Sequence, residues 1–186
     1  VPQRVALTAE AGERQVSMLT CQSSDEIGTA FRQAMRQLAG GVCAITVGEG
    51  ADRGGLVATS VTSLSVDPPT LLVCVNRGGA SWPLIRRFGS FGVNLLAHRH
   101  LPLARRFSGQ DGARGVERYD SGEWGSAATG APILVDALVA VDCAVEELIE
   151  RHSHGIVIGR VRAVTPVREE EALVYLRGAY APLAVN

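Results

Sequence analysis

Between Gly55 and Thr70 the chain reads GLVATSVTSLSVDPPT. Thr59, Ser60, Thr62, Ser63 and Ser65 bring five hydroxyls close together, with no charge before Asp67 and with Pro68 and Pro69 behind it. A hydroxyl both donates and accepts, so such side chains and the amides between them can satisfy the edge of a flat, polar, uncharged heterocycle. The same residues also build ordinary Ser/Thr turns, and proline ends them because it fixes φ and restricts the residue before it. Residue types alone leave these two readings even.

Other groups with chemical potential carry weaker signals. Gly48-Glu49-Gly50 follows an apolar run as a dinucleotide fingerprint does, but the sixth position is Arg53 and a strand-like segment comes next. A hairpin loop accounts for those glycines. His98 and His100, and His152 and His154, lie two apart and would share a face on a strand, yet no acidic or Cys partner at recognisable spacing completes either set. Polar surface is the expectation and no metal site is expected, although a single His beside a cavity can still donate to a ligand. A Ser-His-Asp hydrolase is not indicated, because the chain has no G-x-S-x-G elbow. Cys21, Cys43, Cys74 and Cys143 are far apart, and three sit in apolar runs, as reduced buried thiols do.

These residues need elements to position them. With 186 residues, 46% of them hydrophobic, the chain is long enough for one domain with a real core. A formal charge of -1 gives no field for wrapping nucleic acid and no polybasic patch for a membrane. The first residues show no basic segment followed by an apolar run, and nowhere is an apolar run long enough to cross a bilayer, so a soluble, cytoplasmic protein is expected. Residues 1–24 read as a flexible arm and 25–186 as the domain. Ser24 and Asp25 can cap a helix carrying Ile27, Phe31, Met35 and Leu38 on one face and ending at Gly40-Gly41.

Residues 42–48, 55–60, 70–76 and 91–97 are short, apolar or β-branched, and bounded by turn formers, which predicts strands. SWPLIRRF, with Ser81 as cap, and HLPLARRF predict short helices. The Gly-rich segment 108–132 suits a lid or binding loop. Residues 138–167 read as two long alternating strands joined near Arg151 to Ser153. Many antiparallel strands without strand–helix repetition predict a mainly β fold, a closed barrel rather than a doubly wound sheet.

Taken in order, FRQAMRQLAGGVCAITVG, GLVATSVTSLSVDPPTLLVCVN, SWPLIRRFGSFGVNLLA, LARRFSG, GAPIL, CAVEELIERHSHGIVIGRV and LVYLRGAYAPL span residues 31–183. This ordered set resembles the flavin reductase-like, FMN-binding split-barrel family, in particular the short-chain reductases of two-component monooxygenase systems. The resemblance implies a split β-barrel homodimer that binds FMN or FAD, reduces it with NADH or NADPH, and supplies reduced flavin to a separate monooxygenase or halogenase. It implies flavin contacts along Ala58, Thr59, Ser60, Val61, Thr62, Ser63 and Ser65, with Asn76 nearby and Ser81 at the phosphate. Ala104, Arg105, Arg106 and Phe107 would add backbone and a basic side chain, and the nicotinamide would lie beside His154 and Tyr180. In many members the residue before this His is Asp, where here Ser153 stands. No catalytic acid or base is implied, since hydride passes from nicotinamide C4 to flavin N5 when the rings stack and the protein's share is orientation. The competing class is a non-catalytic flavin- or haem-related binding protein on the same barrel, because fold does not fix function.

Overall fold

The computed structural model describes residues 23–183, which fall into two compact units divided after Gln37. The expected arm therefore lies almost wholly outside the described residues. In the first unit, helix α1 (Ser24–Met35) starts from a capping box: Glu26 N donates to Ser23 Oγ at 3.3 Å and Ser23 N to the Glu26 carboxylate at 2.7 Å. The cap is thus Ser23, one residue earlier than expected. The helix also ends sooner, with Arg36 as its C-cap, so Gly40-Gly41 does not stop it. Ile27, Phe31 and Met35 are all exposed.

The second unit holds β1 (Gly40–Gly41), β2 (Cys43–Val47), β3 (Gly54–Ala58), β4 (Thr62–Val66), β5 (Pro69–Asn76), α2 (Ser81–Phe88), β6 (Ser90–Leu95), α3 (Leu101–Phe107), β7 (Trp124–Ser126), β8 (Pro132–Leu134), β9 (Val139–Arg151), β10 (His154–Val164), β11 (Ala172–Leu176) and β12 (Ala179–Leu183). Seven strands form one antiparallel sheet in the order β3-β2-β6-β9-β10-β5-β4. Its two edge strands, β3 and β4, are consecutive in the chain and joined by three residues, Thr59 to Val61. A flat sheet of seven strands would hold its edges about 29 Å apart, at about 4.8 Å per strand. The four Cα steps from Ala58 to Thr62 reach at most about 15 Å. The sheet must therefore curl until its edges face each other across a seam, and no ladder closes that seam. This is a split barrel, open where a closed barrel was expected from strand patterning. β11 pairs with both β12 and β1 in a second, three-stranded sheet, and β7 and β8 form a hairpin.

Alternation along β5 and β10 fills the interior. Leu71, Val73, Val75 and Val157 join Ile45, Phe91, Val93, Ile85 and Trp82 in one core cluster. Gly155 is required there, because a Cβ would come within 2.2 Å of the Trp82 ring. A second cluster, with Leu96, Leu103, Phe107, Tyr119 and Leu134, lies under α3 and the hairpin β7–β8. The predicted strands and short helices appear within one or two residues of expectation. The exception is Thr62 to Val66, taken as turn or ligand surface and folded as edge strand β4. Ser81 is also not the cap of α2; Ala80 is, and Ser81 is the first helical residue, buried beside Trp82.

Candidate functional site

The hydroxyl run forms the seam, and its members divide by what they touch. Ser60 Oγ accepts from Cys74 N at 3.1 Å and lies 3.2 Å from Cys74 O, so one side chain takes the place of a strand partner for β5. Ser65 Oγ donates to Asp67 O at 3.1 Å, inside the turn that the prolines end, and Thr62 Oγ1 reaches Ser63 O only at 3.5 Å. Thr59 and Ser63 are exposed and their hydroxyls are unengaged among the described residues. The run therefore contains both readings that the residue types left open: Ser60 and Ser65 hold structure, while Thr59 and Ser63 present free donors and acceptors.

Register places a second set of groups on the outer face of the same strands. Ile156 of β10 lies opposite Cys74 on β5 and Ile149 on β9; Ile158 lies opposite Leu72 and Glu147; His154 lies opposite Asn76 and Arg151. The outcome is a half-buried apolar row beside the Ser60 seam, with a polar row of Asn76, His154 and Arg151 at its end. His154 follows the tight turn His152-Ser153, whose first residue sits at φ 49°. Three contacts from Arg77 fasten that turn: its N–H donates to Ser153 O (2.9 Å), Nη1 donates to His152 O (3.0 Å), and Nη2 pairs with the Glu150 carboxylate. Ser153 Oγ lies 2.9 Å from His154 Nδ1. Asn76 shapes the adjoining loop, its Oδ1 accepting from Gly78 N at 2.9 Å.

A third group gathers beside Thr59. Thr59 stands against Gly40, where a Cβ would come 2.7 Å from the Thr59 Cβ. Gly40 pairs with Tyr175, and Tyr175 faces Tyr180 across β11–β12 with ring centroids 5.2 Å apart. Burial raises the Tyr180 phenol above its ordinary value, while the Ser108 hydroxyl and Arg105 nearby oppose that shift. Arg105 is exposed.

Several residues implied by the resemblance turn their side chains away from solvent. Ala58 belongs to the first core cluster; Ala104 and Phe107 belong to the second. Phe107 packs at 5.3 Å from Tyr119 and 5.5 Å from Trp124. Arg106 reaches into the following loop, donating to Glu117 O and pairing with Asp111 and Asp120. Of the two adjacent arginines, only Arg105 is left facing out. Arg77, Tyr175 and Ser108 were missed. Arg77 meets His152 from 75 positions away and Ser108 meets the Tyr180 phenol, contacts that only the fold brings together.

Segment 108–132, expected as a lid or binding loop, is pinned as a wedge. Tyr119 Oη donates to Gly54 O at 2.6 Å, Arg118 donates to Gly55 O, and Arg53 lies over the Tyr119 ring at 5.4 Å. Thr129 N and Oγ1 donate to the buried Asp142, and Leu134 N donates to Asn94 Oδ1 at 2.7 Å. Over its first residues, Val139 to Cys143, the alternation read along β9 therefore separates two covered faces rather than a buried and a wet one. His98 and His100 sit on a 3-10 turn, not a strand; His98 faces Glu171, and His100 is buried with Nδ1 accepting from Ala97 N at 3.1 Å. Among the described residues no group of three or more His, Cys, Asp or Glu is placed to hold a metal ion. Cys43 and Cys143 are free and buried, and burial pushes both thiols up to about 12, which keeps them unreactive; Cys74 is half-buried, and Cys21 lies outside the described residues. An open groove of about 490 Å³ lies between β7–β8 and residues 165–168, away from the seam.

Free neutral hydroxyls beside an apolar row suit a planar, hydrogen-bonding guest, and an exposed arginine near one end suits a phosphate. Comparison with known proteins points the same way. Residues 35–184 match the family described as "Flavin reductase like domain". The chain is 40% identical over 155 residues to the FMN reductase (NADH) RutF 2 of Methylorubrum extorquens strain PA1, covering 83% of this chain and 89% of the relative. It is 36% identical over 171 residues to the FMN reductase (NADH) RutF of Agrobacterium fabrum, covering 92% and 97%. Its fold is similar to that of BorF, the flavin reductase component of a bacterial two-component tryptophan halogenase, with a TM-score of 0.78, 32% identity and coverage of 86% and 99%. It is also similar to the NADH:FAD oxidoreductase SgcE6 of Streptomyces globisporus C-1027 solved with NAD and FAD fragments, with a TM-score of 0.77, 26% identity and coverage of 89% and 98%.

Proposed function

The chain belongs to the flavin reductase-like family, and on that premise we propose that it is an NADH-dependent flavin reductase whose guest lies along the Thr59–Ser63 seam. The observation that carries the placement is the pair of unengaged hydroxyls on the seam, Thr59 and Ser63, together with the half-buried row Cys74, Ile156 and Ile149 on the outer face of the adjoining strands and His154 in register at its end. These residues fit a flavin: an apolar wall for the ring and neutral donors for its polar edge, with no carboxylate among the five hydroxyls to oppose negative charge on reduction. When bound, the flavin accepts hydride at N5 from nicotinamide C4, and NAD⁺ and reduced flavin leave as products.

The protein's own share is orientation. Thr59 and Ser63, with the amides of Val61 and Thr62, hold the ring edge; Ser60 holds the wall in place through Cys74. Arg105 supplies the phosphate with a cation, and the first turn of α2, at Ser81, lies at the Asn76 end. His154 meets the nicotinamide, and Tyr180 with Tyr175 gives an aromatic surface beside Thr59. Proton transfer by a side chain is not required.

The remaining parts of the reading follow from surfaces. Half-buried apolar residues on an outer sheet face, with the exposed Ile27, Phe31 and Met35 of α1, favour a homodimer. A separate monooxygenase or halogenase that consumes reduced flavin is the partner that the likeness to BorF favours, and the cytoplasm, where NADH is regenerated, is the compartment. No observation favours the alternative of a binding protein without turnover. Mixing the purified chain with NADH and FMN or FAD tests the reading: absorbance at the nicotinamide band should fall, and no loss with either flavin overturns it. Replacing NADH by NADPH in the same assay sets the nicotinamide preference.

A further inference from the structure

The two-residue turn before β10 places a hydroxyl against the imidazole of His154. Ser153 Oγ lies 2.9 Å from Nδ1, and Nε2 has no partner among the described residues. The turn itself is held by Arg77, so this geometry does not depend on two loose side chains meeting by chance. The charged and polar groups around the ring are Asn76 across β5, Arg151 across β9, Arg77 behind the turn, and Glu150, which is paired with Arg77. Among the described residues none of them touches either ring nitrogen, and Ser153 is the one group that does.

We propose that Ser153 is a positioning residue that fixes which nitrogen of His154 carries the proton, so that Nε2–H is presented to the nicotinamide donor as a hydrogen-bond donor. This rests on the placement of the nicotinamide beside His154. The chemistry turns on the two-sided nature of a hydroxyl. Toward neutral imidazole, Ser153 donates to the Nδ1 lone pair, which leaves the proton on Nε2. Toward imidazolium, the same hydroxyl turns and accepts from Nδ1–H, and Nε2 still carries a proton. The outward-facing group is therefore an N–H donor in both protonation states, and only the charge of the ring differs. A nicotinamide dinucleotide offers acceptors to that donor: its carboxamide oxygen, its ribose hydroxyls and its diphosphate.

A carboxylate at the same position would behave differently. It only accepts, so it demands Nδ1–H, and in the neutral ring it would turn Nε2 into an acceptor. With Asp at 153, Nε2–H would exist only in the imidazolium and would disappear as pH rises. The hydroxyl thus makes capture of the reduced nicotinamide tolerant of pH at the one histidine in the site.

Two measurements test this on the full-length, flavin-loaded protein. The first is the long-range ¹H–¹⁵N spectrum of the His154 ring above its titration, without nicotinamide. An imine-type Nδ1 and an N–H-type Nε2 are expected, and the reverse pattern overturns the proposal. The second is kcat/KM for NADH against pH. Wild type and Ser153→Thr should show no steep alkaline limb, whereas Ser153→Asp should lose at least tenfold as pH rises, through KM rather than kcat. Ser153→Ala should raise KM for NADH two- to fivefold with kcat and flavin affinity unchanged. If Ser153→Asp follows the wild-type profile, or if Ser153→Ala changes flavin affinity as much as KM for NADH, Ser153 does not position the ring. If wild type turns over no NADH at all, the reductase reading fails, while the spectrum still decides the tautomer.

Discussion

Two polar regions of the barrel are built from similar residue types and do opposite things. Under the β7–β8 hairpin, Thr46, Asn94, Thr129 and Asp142 close on one another and on backbone: Asn94 Nδ2 donates to Ala44 O at 3.0 Å, Thr46 Oγ1 to Pro132 O, and Thr129 N to Asp142 at 2.7 Å. All but the partly buried Thr129 are buried. At the seam, Thr59 and Ser63 are exposed and unengaged, and His154 offers a ring nitrogen with no partner. A buried polar group left unpaired costs more than a hydrogen bond contributes, so the first region is complete within the chain. An exposed group carries no such cost and stays available. Completed hydrogen bonding marks structure here, and the open groups lie where the guest is proposed to bind.

The largest expected effect tests the closed region. Asp142→Ala leaves the Thr129 N–H and hydroxyl without their acceptor and should destabilise by about 3 kcal/mol, a fall in melting temperature of roughly 6–12 °C, with flavin affinity of the folded fraction nearly unchanged. A variant with wild-type melting and weakened flavin binding would break the comparison. Next comes the double change Thr59→Ala with Ser63→Ala: flavin should bind about tenfold more weakly by titration, from two lost hydrogen bonds of about 0.7 kcal/mol each, while stability stays within about 0.5 kcal/mol. A large loss of stability without loss of affinity would assign these hydroxyls to the barrel. Ser60→Ala lies between the regions. It should cost about 1 kcal/mol by chemical denaturation, because Cys74 N loses its acceptor at the seam, and should weaken flavin by no more than about threefold.

The smallest effect concerns an exposed clamp. Burial opposes ionisation of Asp136, but hydrogen bonds from Arg99 and His100 outweigh it and hold the carboxyl below its ordinary value. A carboxyl depressed by folding contributes stability above its unfolded value of about 3.9 and loses it as pH falls through the lower folded value. Asp136→Asn should therefore be slightly less stable than wild type near neutrality and equal to it near pH 2, in melting curves taken across that range. A deficit that persists in acid would show that packing, not charge, holds this corner.

The legible parts of the chain were those that repeat locally. Val73 and Val75, or Val157 and Gly159, alternate because successive side chains of a strand point to opposite faces, so β5, β6, β9 and β10 could be read within a residue or two. The hairpin turn at His152-Ser153 was visible because two alternating runs meet there. β4 was not, since Thr62, Ser63 and Ser65 have the composition of a turn, and only the edge of β5 makes them a strand. The packing of 108–132 was not legible for a related reason: Tyr119 and Trp124 are wedges only if Phe107 and the glycines of β3 stand beneath them. At the site, sequence order supplied the family and the candidates but could not separate Arg105 from Arg106, or Ser60 from Ser63. Those pairs share a residue type and a neighbourhood and differ only in which way the backbone turns them.

By itself the sequence determined most of the elements, the mainly β class and, through the order of its motifs, the family. These depend on residue type and on periods of two or four residues. The tertiary structure decided that β3 and β4 meet edge to edge, which of the seam's hydroxyls are consumed there, and that His154 stands in register with Asn76 and against Ser153. Curling a seven-stranded sheet brings together residues far apart in the chain, and no local period records that distance.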